Sequence, residues 1–319
     1  TGKRLAAGEV ATDKTALARR LKRFVRGGLS IAIEAGNQTA WVYEALIEMG
    51  AKVTVVNPAK VKLIAESRRK TDKIDAKILC ELLRLDGLPH PVHMPDRETR
   101  GLRGLLAARR QLVMARTKVC NVVRGMLRQE GIRLPAGALS GFVGWRRILA
   151  NGFEQDHLPV VVAAYFEVFT RLTHSIREIE AELAQREKCD SCVAKLKTIP
   201  RVGRIASLTF LAAVDDVHRF ASSRKLVGYS GLAPTVRSSG ERTQYGSISR
   251  EGRRELRAVW VQIAHLVAMD KTRATRPLRT WFTKVAKRRG KKTATVALAR
   301  RLLVIEYHVL HDETEYDAA

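Results

Sequence analysis

Acid is what this sequence is short of. Its 319 residues hold 32 Asp and Glu against 58 Lys and Arg, a formal charge of +26 and an isoelectric point near 10.6. That imbalance is out of place in an ordinary enzyme of small metabolites and fits a polyanionic partner, DNA or RNA. Long uncharged apolar runs and lipidation signals are lacking too, so a basic protein of acidic membranes has no support. Cysteine is scarce: Cys80, Cys120, Cys189 and Cys192 are too few for a disulfide framework in a chain of this length. Cys189-Asp-Ser-Cys192 is a lone CxxC without a second pair to complete a zinc site, and two incidental thiols near a helix end are the simpler reading. No secretory signal opens the chain. It begins Thr1-Gly2-Lys3 and not with Met, which reads as a fragment or a trimmed product. What is present, 45% hydrophobic residues, supports real cores and room for two domains.

The organising stretch is Arg68-Arg69-Lys70-Thr71-Asp72-Lys73-Ile74-Asp75-Ala76. Thr71 suits a helix N-cap, and Asp72 and Asp75 then fall three apart on one face of a helix running to about Leu85. Upstream the pattern is α/β. Residues 1–11 read as a turn and a short strand. Thr12 or Asp13 caps a helix with Leu17, Leu21 and Phe24/Val25 on its apolar face. Residues 29–34 are a buried strand, Thr39–Met49 a helix stopped by Gly50, and Lys52–Val56 a second buried strand ended by Asn57-Pro58. A parallel pair of strands places Glu34 and Asn57 at C-terminal strand ends, where open α/β sheets hold their active sites. Glu34, Asp72 and Asp75 are therefore candidate ligands of a Mg²⁺ ion for phosphodiester chemistry. Service to the helix dipole would explain one aspartate well and two less well, and would leave Glu34 unexplained.

Asp86-Gly-Leu-Pro-His-Pro91 is a linker-like break. From Arg97 to Gln129 a long helix steps Leu105, Ala108, Leu112, Ala115, Val119, Val122 and Met126 along a heptad seam. Its other faces carry Arg100, Arg103, Arg109, Arg110, Arg116, Lys118, Arg124 and Arg128, nearly all one sign, which favours contact with phosphates or a partner. Residues 131–153 read as a loop with a short helix. A second heptad helix runs from Pro159 to Glu187 through Val162, Tyr165, Phe169, Leu172, Ile176, Ile179 and Leu183; the two pair with each other or across a dimer. A second domain starts near Lys195. Leu196–Ala206 resembles one hairpin of a helix-hairpin-helix, with Arg201 where the first Gly would stand and itself able to meet a phosphate. Residues 236–254, rich in Gly, Ser and Arg, read as a loop with two tight turns outside the core. Residues 271–292 hold ten Lys and Arg and no acid. Trp281, Phe282 and Val285 punctuate them, so the segment, with Lys287, Arg288 and Arg289, reads as ordered and facing phosphates. The ending from His311 reads as an acidic frayed terminus.

Glu34, Val56-Asn57-Pro58 and Lys70–Ala76, then Ile199-Pro200-x-x-Gly203, Gly231-Leu-Ala-Pro234, Ser239-Gly240 and Gly246-x-Ile-x-x-x-Gly252-x-x-x-Leu-Arg257, together resemble transposases of the bacterial insertion sequence 110 group, in order and over nearly the whole chain. The resemblance implies an α/β RuvC-like (RNase H-like) domain at 1–95, long coiled-coil helices at 96–194, and a mostly α-helical transposase domain at 195–319. It implies a DNA recombinase with a DEDD carboxylate set, whose last three acids match Glu34, Asp72 and Asp75. Its nucleophilic serine is best matched by Ser239, with Ser238, Ser247 and Ser249 nearby. The first Asp of the set belongs to an N-terminal strand that this sequence starts after, and Asp13, in a turn, does not match it. Three carboxylates hold Mg²⁺ less well than four, so this form is expected to be impaired. Arg237, Arg242, Arg253 and Arg257 would steady the pentacovalent state. Arg109, Arg110, Arg116, Arg124, Arg201, Lys287, Arg288 and Arg289 would contact nucleic acid. The implied partners are DNA (element ends and target), a structured guide RNA and further copies of the chain in a homodimer or homotetramer, in the bacterial cytoplasm with the nucleoid. Carboxylates and serine fall in different domains, so the site would form between subunits. Two other readings use the same residues: a RuvC-like nuclease with water and two metals, which has no use for Ser239, and a truncated copy that binds nucleic acid without catalysis.

Overall fold

The computed structural model describes residues 2–25, 27–61, 71–150, 153, 157–239 and 242–317, with Ser239 and Arg242 as backbone. Arg68, Arg69 and Lys70 lie outside the described residues. The chain divides into two units, Thr1–Pro95 and Asp96–Ala319. The second runs unbroken through positions 194 and 195.

In the first unit Asp13 starts helix α1 (Lys14–Val25), its Oδ1 accepting from the Ala16 N–H at 2.8 Å. Strands β1 (Ser30–Glu34) and β2 (Lys52–Val56) pair in parallel, from Ser30 opposite Lys52 to Glu34 opposite Val56. Helix α2 (Thr39–Glu48) supplies the crossover that parallel pairing requires. Gly50, at φ 83°, takes the left-handed turn out of it. The expectation of two buried strands holds only at the end of β2, where Val55 and Val56 are buried; β1 is half-covered. The strand expected within residues 1–11 is not formed: residues 2–11 are irregular and Leu5 is exposed. Among the described residues β1 pairs with β2 alone, and a strand with no ladder partner leaves its backbone to water. Helix α3 (Asp72–Arg84) packs Leu79, Ile78 and Leu82 in one cluster with Val56, Val61 and Ala32.

In the second unit, α4 (Arg97–Gln129) and α6 (His157–Cys189) pack against each other, with the short α5 (Phe142–Ala150) closing one end. Val123 and Leu127 meet Leu158, Val162, Phe169 and Trp145 there, and the Trp145 indole N–H donates to the Leu139 carbonyl at 3.1 Å. The expected seam on α4 is displaced: Ala108 is exposed, while Val123 and Leu127, each one position past the expected Val122 and Met126, are fully buried. A straight α-helix drifts about 20° per heptad from a 3.5-residue repeat, so a strict heptad reading slips along 33 residues.

A second core gathers α7 (Ser191–Lys197), α8 (Arg204–Val214), α9 (Ser223–Ser230), α10 (Arg254–Met269), α11 (Arg276–Arg289) and α12 (Lys291–His311) around Phe210, Trp260, Leu256, Leu298 and Leu302. Each such burial contributes about 1.5–3 kcal/mol. Two expectations fail in this half. Residues 236–254 are not simply loop: β3 (Pro234–Ser239) and β4 (Arg242–Ile248) form an antiparallel hairpin. It does lie outside the core, with Val236 and Tyr245 exposed. The terminus is not frayed at Tyr316, which packs on the second core and donates its N–H to Thr198 Oγ1 at 2.9 Å.

That core contains a carboxyl. Glu306 is fully buried, and among the described residues neither of its oxygens has a hydrogen-bond partner. Burial pushes its pKa well above the ordinary 4.5, while the neighbouring Trp260 indole pulls it slightly back. An acid with a raised folded pKa favours folding while protonated, and that advantage is lost as pH rises from the unfolded value through the folded one. Glu306→Gln is therefore expected to match the parent near pH 4 and to exceed its stability by ~1–3 kcal/mol at pH 8. Urea unfolding at the two pH values checks this, and a variant weaker at pH 8 would refute it.

Candidate functional site

Each expected carboxylate sits at an element end. Glu34 closes β1, and its carbonyl accepts from Thr39 Oγ1 at 2.9 Å, which fixes the turn into α2. Thr71 Oγ1 caps α3 by accepting from the Ile74 N–H at 3.3 Å, and places Asp72 and Asp75 in the first turn. Alternation puts Glu34 on the β1 face that carries Ala32. Asp75 shares the α3 face of Ile78 and Leu79, with which Ala32 clusters. Glu34 and Asp75 thus belong to facing surfaces. Asp75 is buried and, among the described residues, its Oδ1 has no hydrogen-bond partner, whereas Glu34 and Asp72 are exposed. A buried carboxylate oxygen with no donor suits a hard divalent cation, which takes oxygen ligands. Among the described residues, however, no three His, Cys, Asp or Glu stand close enough to hold a metal, so the expected set is not gathered into a cage.

The expected nucleophile lies on the hairpin of the second unit. Ser239 ends β3 opposite Arg242, and Arg237 stands opposite Gln244, so alternation puts residues 237, 239, 242 and 244 on one face. Val236, Ser238, Thr243 and Tyr245 take the other, where the Ser238 and Thr243 hydroxyls are 3.0 Å apart. Ser247 is exposed and Ser249 half-buried. The hairpin is bolted down at its base. Ser249 N–H donates to Ala233 O at 2.8 Å, Arg250 N–H to Gly231 O at 3.2 Å and Arg253 N–H to Tyr229 O at 3.0 Å. Two glycines allow this approach. A Cβ on Gly231 (φ 72°) would lie 2.1 Å from Glu251 O, and one on Gly252 (φ 90°) 2.1 Å from Tyr229 O.

The cations divide into engaged and free. Arg109 is half-buried between α4 and α6, paired with Glu180 through Nε at 2.8 Å and Nη2 at 2.6 Å. Among the described residues Arg110 has its Nε buried without a partner, and Arg116 and Arg124 are also half-buried. Arg201 takes a left-handed φ of 68° in the turn between α7 and α8 and pairs with Asp270 at 2.6 Å. The Arg201 hydrogen bond, then the Thr272 N–H, hold the Asp270 carboxyl well below its usual range. Arg253 Nε donates to Tyr229 Oη at 3.1 Å, and Arg257 Nη1 to Ser230 O at 3.2 Å. Arg237 is exposed on β3; Lys287, Arg288 and Arg289 are exposed in the last turn of α11. Arg279, Thr280, Thr283, Lys284 and Lys287 line a shallow groove of about 290 Å³ there.

The hairpin escaped sequence reading because serine and arginine fill its strands. The signal that could have found it is β-branched and aromatic alternation, Thr235-Val236 and Thr243-x-Tyr245, around a Gly-Glu pair. Among the described residues no helix is long and apolar enough to cross a membrane.

An IS110-type DEDD transposase model matches residues 1–131, and a model of the transposase IS116/IS110/IS902 family matches residues 193–279. The transposase for insertion sequence element IS1111A of Coxiella burnetii is 29% identical over 290 residues, 90% of this chain and 79% of that protein. A probable family 20 transposase of Pseudomonas aeruginosa is 27% identical over 295 residues, 90% of this chain and 85% of its own length. A pilin gene-inverting protein of Moraxella bovis is 29% identical over 279 residues, 83% of this chain and 74% of its own.

Proposed function

The chain belongs to the IS116/IS110/IS902 family of insertion-sequence transposases, and from that premise we propose that it cuts and rejoins DNA strands through a serine-linked intermediate. One observation carries the metal-dependent part of the reading: a buried Asp75 oxygen without a donor, on the helix surface that faces the strand bearing Glu34. The parallel β1–β2 pair with its crossover helix fits a RuvC-like, RNase H-like domain. Glu34, Asp72 and Asp75 would hold a divalent ion, Mg²⁺, which when bound neutralises phosphate charge and lowers the pKa of an attacking hydroxyl.

The rest falls to the chain's own groups. Ser239 Oγ forms a bond to phosphorus as the bond from phosphorus to a sugar oxygen breaks. The serine proton passes to a base, and the departing oxygen takes up a proton to become a free 3′-hydroxyl. The phosphoserine link keeps the bond energy, so strands rejoin without ATP. Arg237 and Arg242, on the serine's face of the hairpin, supply positive charge to the pentacovalent phosphorus, and Arg253 and Arg257 support the hairpin base. The exposed cations of α11 contact nucleic-acid phosphates. The substrates are element ends and target DNA, the guide is a structured RNA, and the working form is a homodimer or homotetramer in the bacterial cytoplasm, with the nucleoid. A gene-inverting relative is compatible with rejoining as well as cutting.

The test is a denaturing gel of the protein incubated with element-end DNA, flanking RNA and Mg²⁺, for parent and Ser239→Ala. A protein–DNA adduct in the parent and none in the variant is expected. An adduct in both would move the nucleophile to Ser238, Ser247 or Ser249. Cut DNA without an adduct in either would replace serine chemistry by a water-using nuclease, and neither product would leave a binding protein.

A further inference from the structure

Helix α8 ends against two guanidinium groups and a tyrosine, and a third guanidinium bonds the tyrosine. Arg103, on α4, donates from Nε to the Ala212 carbonyl at 2.5 Å and from Nη2 to the Ala213 carbonyl at 3.3 Å. Tyr229, on α9, donates its hydroxyl to the same Ala213 oxygen at 3.1 Å and accepts from Arg253 Nε at 3.1 Å. Arg219 donates from Nε to the Val214 carbonyl at 2.7 Å and lays its guanidinium 4.1 Å from the Phe220 ring centre and 4.8 Å from that of Tyr229. The four residues are half-buried and come from four separate segments.

Part of this is helix capping, since carbonyls at a helix C-terminus attract cations. Capping does not use the whole cluster. Each guanidinium carries five donors in a planar fork, and among the described residues Arg219 Nη2 is buried without a partner. The acid whose charge reaches Arg103 is Asp215, which accepts from Thr99 Oγ1 at 2.9 Å. Burial first, then the charge of Arg253, still pull the Arg103 pKa below its ordinary value. Such a balance describes positive charges held together out of water with too little negative charge among them.

We propose that Arg103, Arg219, Arg253 and Tyr229 form a binding site for a backbone phosphate, which grips a nucleic-acid strand at the base of the β3–β4 hairpin. The proposal rests on the nucleic-acid reading above. Arg253 anchors that base through Tyr229, whereas Ser239 stands at the far end of β3, about 17 Å away along five extended residues. The phosphate held is therefore not the one attacked; it fixes the strand's register relative to the hairpin. DNA and RNA offer the same phosphodiester.

Two measurements on the full chain test this, with Arg103→Gln and Arg219→Gln; glutamine keeps an N–H for the helix carbonyls and loses the charge. In the first, inorganic phosphate replaces chloride at equal ionic strength. It is expected to raise the parent's thermal midpoint by a few degrees and to leave both variants unmoved. In the second, labelled DNA and RNA strands are titrated at several salt concentrations. Each variant is expected to lose about one unit from the slope of log affinity against log salt. Loss with DNA alone, or with RNA alone, assigns the strand. Variants that keep the parent's phosphate response and slope overturn the site. Should Arg103→Gln fail to fold, Arg219→Gln alone decides. A phosphate response dependent on Arg219 in a protein that binds neither DNA nor RNA overturns the proposed strand grip along with the nucleic-acid reading, leaving an anion site of another kind.

Discussion

With Asp75→Asn, millimolar Mg²⁺ or Mn²⁺ is expected to lose its stabilising effect on the first unit, and DNA cutting to fall by ~10³-fold or more. The parent's Asp75 Oδ1 is buried and unpartnered, so a bound cation removes a desolvation cost as well as adding ligand bonds. At a hundred times its dissociation constant, a ligand of the folded state contributes about 2.7 kcal/mol, and for a unit of this size each kcal/mol moves the midpoint by roughly 4–8 °C. Asparagine keeps the shape but offers one neutral oxygen, too weak a donor for Mg²⁺ in competition with water. Thermal unfolding with and without the cation, beside a cutting assay, reads both halves. If Asp75→Asn still gains stability from the metal and cuts at the parental rate, Asp75 is no ligand.

Gly252→Ala is expected to cost about 3–5 kcal/mol. Its Cβ would lie 2.1 Å from the Tyr229 carbonyl oxygen, a backbone atom that no rotamer change can move, and at φ 90° an L-residue is strained before any clash. The damage is local and functional: residues 229–231 and 249–253 part, the hairpin base loosens, and Arg253 leaves Tyr229 Oη. Gly104→Ala is the control. It sits within α4 with nothing within 4 Å of the added carbon, and is expected to be neutral or to gain up to about 1 kcal/mol. Urea unfolding of the pair gives the comparison, and a Gly252→Ala protein within 1 kcal/mol of its parent would discard the packing argument.

What could be read in advance was whatever has a local cause. Thr71 and Asp13 announce their helices because capping is settled within three residues. Helix α4 has the bounds its periodicity suggests, and the aromatic residues of the 271–292 stretch do mark an ordered helix. What failed depends on partners distant in sequence. Residues 2–11 read as a turn and a short strand, but their Gly, Ala, Lys and Glu suit a strand poorly and they form none. Tyr316 looks like part of an acidic tail until Thr198 receives its N–H. The pairing of Arg109 with Glu180 and of Arg201 with Asp270, 71 and 69 residues away, likewise has no local signal. At the site, sequence could put Asp72 and Asp75 on one helix face, but not tell that Asp75 alone is buried.

Helix α4 also acts as a ruler. Its first turns are tied to the end of α8 through Thr99 and Arg103, and its last turns, at Val123 and Leu127, lie in the separate Trp145 core. The helix is 33 residues long, and its rise of about 1.5 Å per residue holds the Thr99 and Val123 anchor points about 36 Å apart and in fixed rotational phase. One inserted residue would swing the far body by about 100°, whereas seven would bring it almost back into phase, one notch further out. Length variation along this helix should therefore come in steps of seven, or of eleven, and any span bridged by bound nucleic acid would change in the same steps.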